Sequence, residues 1–225
     1  MQFDADSISG RAHVASVNVS GQRTVEWLGR PVTSAIWKQP VGGPVSVRGV
    51  NLAGDDQADR HAHGGPDKAV YAYAVEDYRF WRDHERIAIE PGLFGENLTL
   101  VGVDVSGARI GERWQIGSLV LEVSQPRIPC YKLGMRLGDQ MFPRRFAAAG
   151  RPGAYLRIVR EGLVAAGDDV LIVFRPEHDI TPRLVSRAYH TDRDLLPRLL
   201  EIPELSESWR DWAARMLEGA GARRR

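Results

Sequence analysis

Up to Pro176 the chain alternates apolar and polar positions in short runs. Residues 12–19 (Ala-His-Val-Ala-Ser-Val-Asn-Val) place valines on one face at a period of two, which predicts a strand. The same pattern predicts strands at 25–28, 33–37, 45–50 and 69–73, with a turn at Gly29-Arg-Pro31 between the second and third. It also predicts two hairpins within 108–123, turning at Gly111 and Gly117, and strands at 154–159 and 170–174. Short strands punctuated by Gly and Pro turns predict a mainly β fold, a sandwich or a barrel. Helical signals are fewer. Tyr78, Phe80 and Trp81 within 76–85 fit a short helix packed on the β domain, and 132–150 reads as helix and loop.

The texture changes after Pro176. Thr181-Pro182 is an N-cap followed by proline at the first helical position. Leucines cluster in 195–201, and Ser206 or Ser208 can cap a helix over 209–218 that ends at Gly219. The expected organisation is a β-barrel domain over 11–176 and a small three-helix domain over 177–221, with a solvated arginine tail at 223–225.

Composition narrows the setting. The net charge of the 225 residues is +1, so neither nucleic acid nor a membrane surface is an expected partner. The single cysteine rules out an internal disulfide, the acidic N-terminus lacks an apolar signal segment, and no apolar run is long enough for a bilayer. A cytoplasmic location is expected, where sequons at Asn18 and Asn97 would be chemically idle. An edge-rich β domain with surface aromatics is also able to form a homodimer.

That cysteine, Cys130, lies in Gln125-Pro-Arg-Ile-Pro-Cys-Tyr-Lys132. A lone cysteine is most often a buried small hydrophobe. Two prolines and the flanking Arg127 and Lys132 argue otherwise, because stiff backbone and positive charge favour a presented thiolate. Two glycine-containing loops, 54–68 and 91–99, are candidates to meet it. In the first, Gly64-Gly65-Pro66 lets backbone N–H groups approach an anion and Lys68 adds charge; in the second, Asn97 offers donor and acceptor together. His61 and His63 could join Cys130 in a zinc site, or His63 could pair with it as a nucleophile's base; the simpler reading is one histidine at the surface and the other hydrogen-bonded to a loop. Residues 127–151 carry six basic side chains (Arg127, Lys132, Arg136, Arg144, Arg145, Arg151) against one acid, Asp139. That excess suggests an anionic ligand such as a phosphate, although Arg144 and Arg145 read best as a solvated face. No Walker motif, G-x-G-x-x-G or G-x-S-x-G occurs, which argues against a standard nucleotide fold or serine hydrolase.

Four ordered motifs together resemble the MOSC domain family, named for the C-terminal domain of molybdenum cofactor sulfurase, and its YiiM-type branch. They are Gly54-Asp-Asp-Gln-Ala-Asp59, His63-Gly-Gly-Pro-Asp-Lys-Ala69, Phe94-Gly-Glu-Asn-Leu98 and Ser124-Gln-Pro-Arg-Ile-Pro-Cys-Tyr-Lys132. Thr33-Ser-Ala-Ile36-Trp-Lys38 and the three-helix extension fit the same branch. The resemblance implies a MOSC β-barrel-like domain with a few short helices, a C-terminal three-helix appendage, and binding of the molybdenum cofactor. It implies that Cys130 ligates molybdenum or carries sulfur. It further implies reduction of N-hydroxylated compounds of the hydroxylaminopurine or amidoxime type, with electrons from a separate reductase. On physical grounds Arg127 and Lys132 would stabilise the thiolate. Lys38 or Lys68, with Gly64, Gly65 and Asn97, would hold the cofactor, and His63 would supply a proton. Two other readings stand beside this one: a sulfur or cofactor carrier using a Cys130 persulfide, and a non-catalytic anion-binding barrel.

Overall fold

The structure, a computed structural model, describes residues 11–57 and 64–222. Among these residues no helix is long and apolar enough to cross a membrane.

Eight strands form the main sheet: β1 (His13–Val19), β4 (Gln39–Pro40), β7 (Val70–Ala74), β8 (Leu98–Val101), β9 (Arg113–Ile116), β10 (Leu119–Gln125), β11 (Ala154–Arg160) and β13 (Val170–Phe174). Their order is β13-β9-β10-β11-β7-β8-β1-β4. Every neighbouring pair is antiparallel except β7 and β8, which are joined through helix α1 (Val75–Glu85). The two ends of the sheet approach each other. Val14 N–H donates to Asp168 O at 2.9 Å, Gly167 N–H to Val14 O at 2.8 Å and Val170 N–H to Ala12 O at 2.9 Å, so β1 is laced to the entry of β13. The sheet thereby curls into a half-barrel. A smaller sheet of β5 (Val45–Arg48), β6 (Asn51–Leu52) and β12 (Gly162–Val164) and a hairpin of β2 (Arg23–Trp27) and β3 (Arg30–Ser34) complete the β structure.

β7 shows how period-two patterning builds two cores at once. Val70, Ala72 and Ala74 point to an aliphatic interior, and Tyr71 and Tyr73 point the opposite way to an aromatic one. The aliphatic core includes Val14, Val17, Leu98, Leu100, Leu121, Val123 and Leu156. It continues without a break into Val185, Leu199, Leu205 and Ala213 of helices α4 (Pro182–His190), α5 (Leu196–Leu200) and α6 (Glu207–Ala222) and the loop before α6. The aromatic core gathers Tyr73, Tyr78, Trp81 and Phe94 with Phe142 and Phe146 of α3 (Phe142–Ala148). Trp81 and Phe146 stack at 5.5 Å, and Trp81 Nε1 donates to the Tyr73 hydroxyl at 2.7 Å. The Trp81 indole and the Tyr73 hydroxyl thus satisfy each other inside this aromatic layer.

Several local expectations shift. The third strand starts at Arg30, not at 33, because Leu28 and Gly29 both take positive φ (52° and 74°) and make a two-residue hairpin turn. Pro31 then sits inside a strand of a two-stranded ribbon, where a missing donor is tolerated. Gly111 is not a hairpin turn, so 108–123 holds one hairpin, β9–β10. A Cβ at Gly111 would come within 2.6 Å of Glu204 Cγ, so this glycine serves close packing against the C-terminal segment. Thr181 caps α4 as expected, accepting from Leu184 N–H at 3.2 Å. Gly219 does not end α6, which continues to Ala222; a glycine weakens a helix without stopping it when the following residues keep helical geometry.

Candidate active site

Strand β10 carries a register shift between Val123 and Gln125. The Ser124 hydroxyl there lies 2.6 Å from Asp67 O and 2.9 Å from Tyr155 O. The chain then leaves the sheet through Pro126 to Cys130, and Cys130 occupies the position just before the short helix α2 (Tyr131–Leu137) without a side-chain capping bond. The thiol is half-buried. It opens on a cleft of about 640 Å³, counted out to its mouth. Four cationic residues, Lys38, Lys68, Arg127 and Lys132, line that cleft with Asp55, Asp56, Gln57, Tyr71, Tyr155 and Asn97.

Each charge is placed by a different part of the fold. Lys38 is almost fully buried and ion-paired with Asp55. Burial pulls its pKa below the ordinary lysine value of 10.5, and Asp55 opposes that shift. Asp55 is held in turn by Ser20 N–H at 2.9 Å and Asn97 Nδ2 at 2.9 Å. The glycines of the 91–99 loop explain how Lys38 gets so deep. Gly92 and Gly95 have φ of 83° and 80°, and a Cβ would fall 2.6 Å from Lys38 O at Gly92 and 2.9 Å from Ile36 Cγ1 at Gly95. The neighbouring Glu96 is fully buried and anchors the loop. It accepts from Gly92 N–H at 2.6 Å, the Tyr78 hydroxyl at 2.7 Å and the Thr99 hydroxyl at 2.8 Å. Burial raises its pKa and these donors restrain the rise.

Arg127 is buried, its guanidinium 5.1 Å from the centre of the Tyr71 ring and 5.8 Å from that of Phe146. Burial works against its charge, but Tyr71, Tyr155 and Cys130 outweigh that, and its pKa moves upward. Its Nη1 has no hydrogen-bond partner. A buried, permanently charged nitrogen without a partner is costly unless a ligand completes it. Burial raises the pKa of Tyr155, with Arg127 opposing, so its hydroxyl stays protonated.

The structure therefore brings Cys130, Lys38, Lys68, Asn97, Arg127 and Lys132 to one cleft. Asn97 spends its amide inside the fold: Oδ1 accepts from Tyr71 N–H at 3.0 Å and Nδ2 donates to Asn18 O and Asp55. Its part is to position Asp55. Gly64 and Gly65 precede the 3-10 turn at Pro66–Lys68 and are not among the cleft-lining residues. His61 and His63 lie outside the described residues. Among the described residues no group of three or more His, Cys, Asp or Glu side chains is placed to hold a metal.

The basic cluster of 127–151 does not act as a unit, which corrects the reading of a local charge excess. Arg136 pairs with Glu90, Arg145 with Glu85 and Asp139, and Arg151 with Asp77. Those acids, apart from Asp139, come from distant sequence. Only Arg127 and Lys132 of the six face the cleft. Asp55, Tyr71, Gln57 and Tyr155 had no assigned role in the sequence. Asp55 and Gln57 lie within the first motif, whereas the tyrosines read as ordinary strand residues.

Comparison with known proteins decides the family. The MOSC domain model matches residues 59–171, and the YiiM-like 3-alpha helix domain model matches residues 190–220. This chain belongs to the MOSC domain family. The uncharacterized protein YflK of Bacillus subtilis is 36% identical over 203 residues, covering 89% of this chain and 92% of that protein. Protein YiiM of Escherichia coli is 33% identical over 198 residues, covering 85% and 87%. A protein of Gibberella moniliformis named Reductase is 32% identical over 200 residues, covering 86% of this chain and 35% of its own length. The crystal structure of YiiM from Geobacillus stearothermophilus superposes with a TM-score of 0.74 at 29% identity, covering 91% of this chain and 98% of that one. MOSC domains as a class bind the molybdenum cofactor. The cationic cleft of this MOSC chain, with its single thiol, is where such a group is to be tested.

Proposed function

We propose that this chain is a molybdenum-cofactor-dependent reductase of N-hydroxylated compounds, with Cys130 as the protein ligand to molybdenum. The observation that carries the reading is the company Cys130 keeps: a half-buried thiol in a cleft with four cations, one of which, Arg127, has a buried Nη1 without a hydrogen-bond partner. The residues fit the group. Thiolate is a soft donor suited to molybdenum, and the cations match a phosphate and an anionic dithiolene. Arg127 Nη1 would complete its hydrogen bonding on the cofactor, and Lys68 and Lys132 would balance its charge. Lys38 and Asp55 form the rigid floor.

When bound, the cofactor supplies two-electron redox chemistry at a site able to accept oxygen. The overall reaction balances as R–NHOH plus two protons and two electrons giving R–NH2 and water. The protein orients the N–O bond beside Cys130, keeps bulk water out with the Tyr71 and Tyr155 walls, and offers the protonated Tyr155 hydroxyl as a hydrogen-bond donor. His63 belongs to the reading as the proton source. The electrons come from a separate donor protein. The name Reductase borne by the fungal relative supports this direction of chemistry.

The test is reduction of benzamidoxime by cofactor-loaded protein with reduced methyl viologen as electron source. Wild type is expected to turn over and Cys130→Ser to lose activity by at least about a hundredfold, the scale of losing a metal ligand or its support. Equal turnover by both would overturn the assignment of Cys130.

A further inference from the structure

Helix α4 serves two openings. Its Tyr189 joins Trp209 and Trp212 on the helix side of a groove that lies between the exit of β10 and the C-terminal helices and reaches Cys130. Its Arg183, Arg187 and His190 line a different opening, a furrow of about 1630 Å³ out to its mouth. Steps of four and three residues place these side chains along one stripe of the helix. Helix α3 contributes Arg144 and the small Ala147 and Ala148. Pro129, the residue before Cys130, lines the furrow as well.

The lining of the furrow is positive. Arg144 and Arg151 meet Arg183 and Arg187 of α4 there, and among the described residues no acidic side chain lines it. Three of these arginines are held by acids that stand outside the lining: Arg151 by Asp77, Arg183 by Asp104 at 3.1 Å and Arg187 by Asp192 at 3.2 Å. Each acid offsets part of a charge and fixes where the guanidinium points. Arg144 is exposed and has no ion pair among the described residues. Burial, with Arg193 adding to it, holds the pKa of His190 below 6.5, so the charge at neutral pH is that of the guanidiniums. The side chains of Arg151, Arg183 and Arg187 are 34% to 52% exposed, whereas Arg127 in the cofactor cleft is 7% exposed. A site for a small anion desolvates its donors, as the cleft does with Arg127. Half-exposed charges hold a small anion weakly, but together they steer and orient a large surface of opposite sign. Arginine is also the cation enriched at protein interfaces.

We infer that this furrow is the docking surface for the electron-donor protein, and that the donor presents an acidic face around its redox group. The inference rests on the reductase reading, which requires such a donor. Each turnover oxidises the donor by two electrons, which with two protons convert R–NHOH to R–NH2 and water. Position selects this occupant. Pro129 sets the furrow one residue from Cys130, so a protein seated there brings its redox group toward the reacting site. The furrow shares no lining residue with the cleft, so the seated donor leaves the cleft open to substrate.

The probe is flavodoxin, a small acidic flavoprotein. Its binding to the full chain, as purified, is measured by isothermal titration at low and high ionic strength. Variants are Arg144→Glu, which breaks no ion pair, Arg187→Gln, and Arg30→Glu as an exposed charge change outside the furrow, each checked for an unchanged melt. Wild type is expected to give saturable heat, with affinity falling about tenfold as salt rises. Arg144→Glu should weaken flavodoxin about tenfold and Arg187→Gln by less, while Arg30→Glu should match the wild type. No binding by the wild type, binding indifferent to the folded furrow variants, or an equal loss in Arg30→Glu would overturn the inference. A short oligothymidylate held as tightly through the same arginines would make the furrow a general polyanion surface and would also overturn it. Titration needs neither cofactor nor electrons. Furrow-dependent binding by a protein that reduces no N-hydroxylated compound with methyl viologen sinks the reductase reading and leaves an acidic docking surface standing. Turnover with methyl viologen by a protein whose flavodoxin binding ignores the furrow sinks the docking surface alone.

Discussion

The cleft and the groove that meet at Cys130 hold their surroundings with opposite materials. The cleft is assembled from charges carried by distant segments: Lys38 after β3, Asp55 after β6, Lys68 before β7, and Arg127 and Lys132 around the thiol. Each buried charge there needs support. Asp55 alone is held by Lys38, Ser20 N–H and Asn97. The groove takes its helix wall from a short C-terminal stretch, where the rings pack against one another and Arg193 lies over Trp212. Charge needs a network because desolvation is costly, whereas aromatic surface gains from the same burial. The cleft is therefore the fragile half and the groove the adaptable one.

The sharpest way to break that contrast is to remove a support on the charged side. Asp55→Ala strands Lys38 in the interior and is expected to destabilise the fold by about 3–5 kcal/mol in urea unfolding. A loss below about 1 kcal/mol would show that the ion pair is not the floor of the cleft. Next in size is Arg127→Met, which should weaken cofactor retention by about tenfold to a hundredfold, the range for a hydrogen bond to a charged group. Raising salt should weaken cofactor binding to the cleft, measured by titration at low and high ionic strength. Binding indifferent to salt would mean that the charges of the cleft do not hold the cofactor.

Proton linkage gives a smaller effect. The folded pKa of Lys38 lies below 10.5, burial being the largest cause. Between that folded value and 10.5 the unfolded chain binds more protons, so stability rises with pH across the interval. Lys38→Met should remove that rise in unfolding free energies measured up to pH 10.5. An identical slope in both proteins would mean that Lys38 is not responsible. Smallest is Thr181→Ala, which removes the cap of α4 and should cost about 1 kcal/mol.

The sequence was most legible where one residue type has one physical reason to be present. Alternating valines marked β1, and Thr181-Pro182 marked the start of α4. Cys130 stood out because it is the only thiol and is flanked by prolines and cations. What stayed hidden depended on long-range pairing. Arg136, Arg145 and Arg151 looked like a shared positive patch because their partners Glu90, Glu85 and Asp77 lie at least forty positions away in the chain. Gly92 and Gly95 read only as part of a glycine-containing loop, whereas their role is to let the backbone close over Lys38 and Ile36. Gln125 lies within the cysteine motif but has no role of its own there: a glutamine at the end of a strand is ordinary until its oxygen is found buried and without a partner.

The central claim is that Cys130 anchors the molybdenum cofactor in the cationic cleft. The most direct measurement is molybdenum and pterin content of wild type and Cys130→Ser, each expressed in a host that makes the cofactor. Near-stoichiometric molybdenum in the wild type and its loss in Cys130→Ser is the predicted result. Full molybdenum in both proteins would contradict the assignment of Cys130 as ligand.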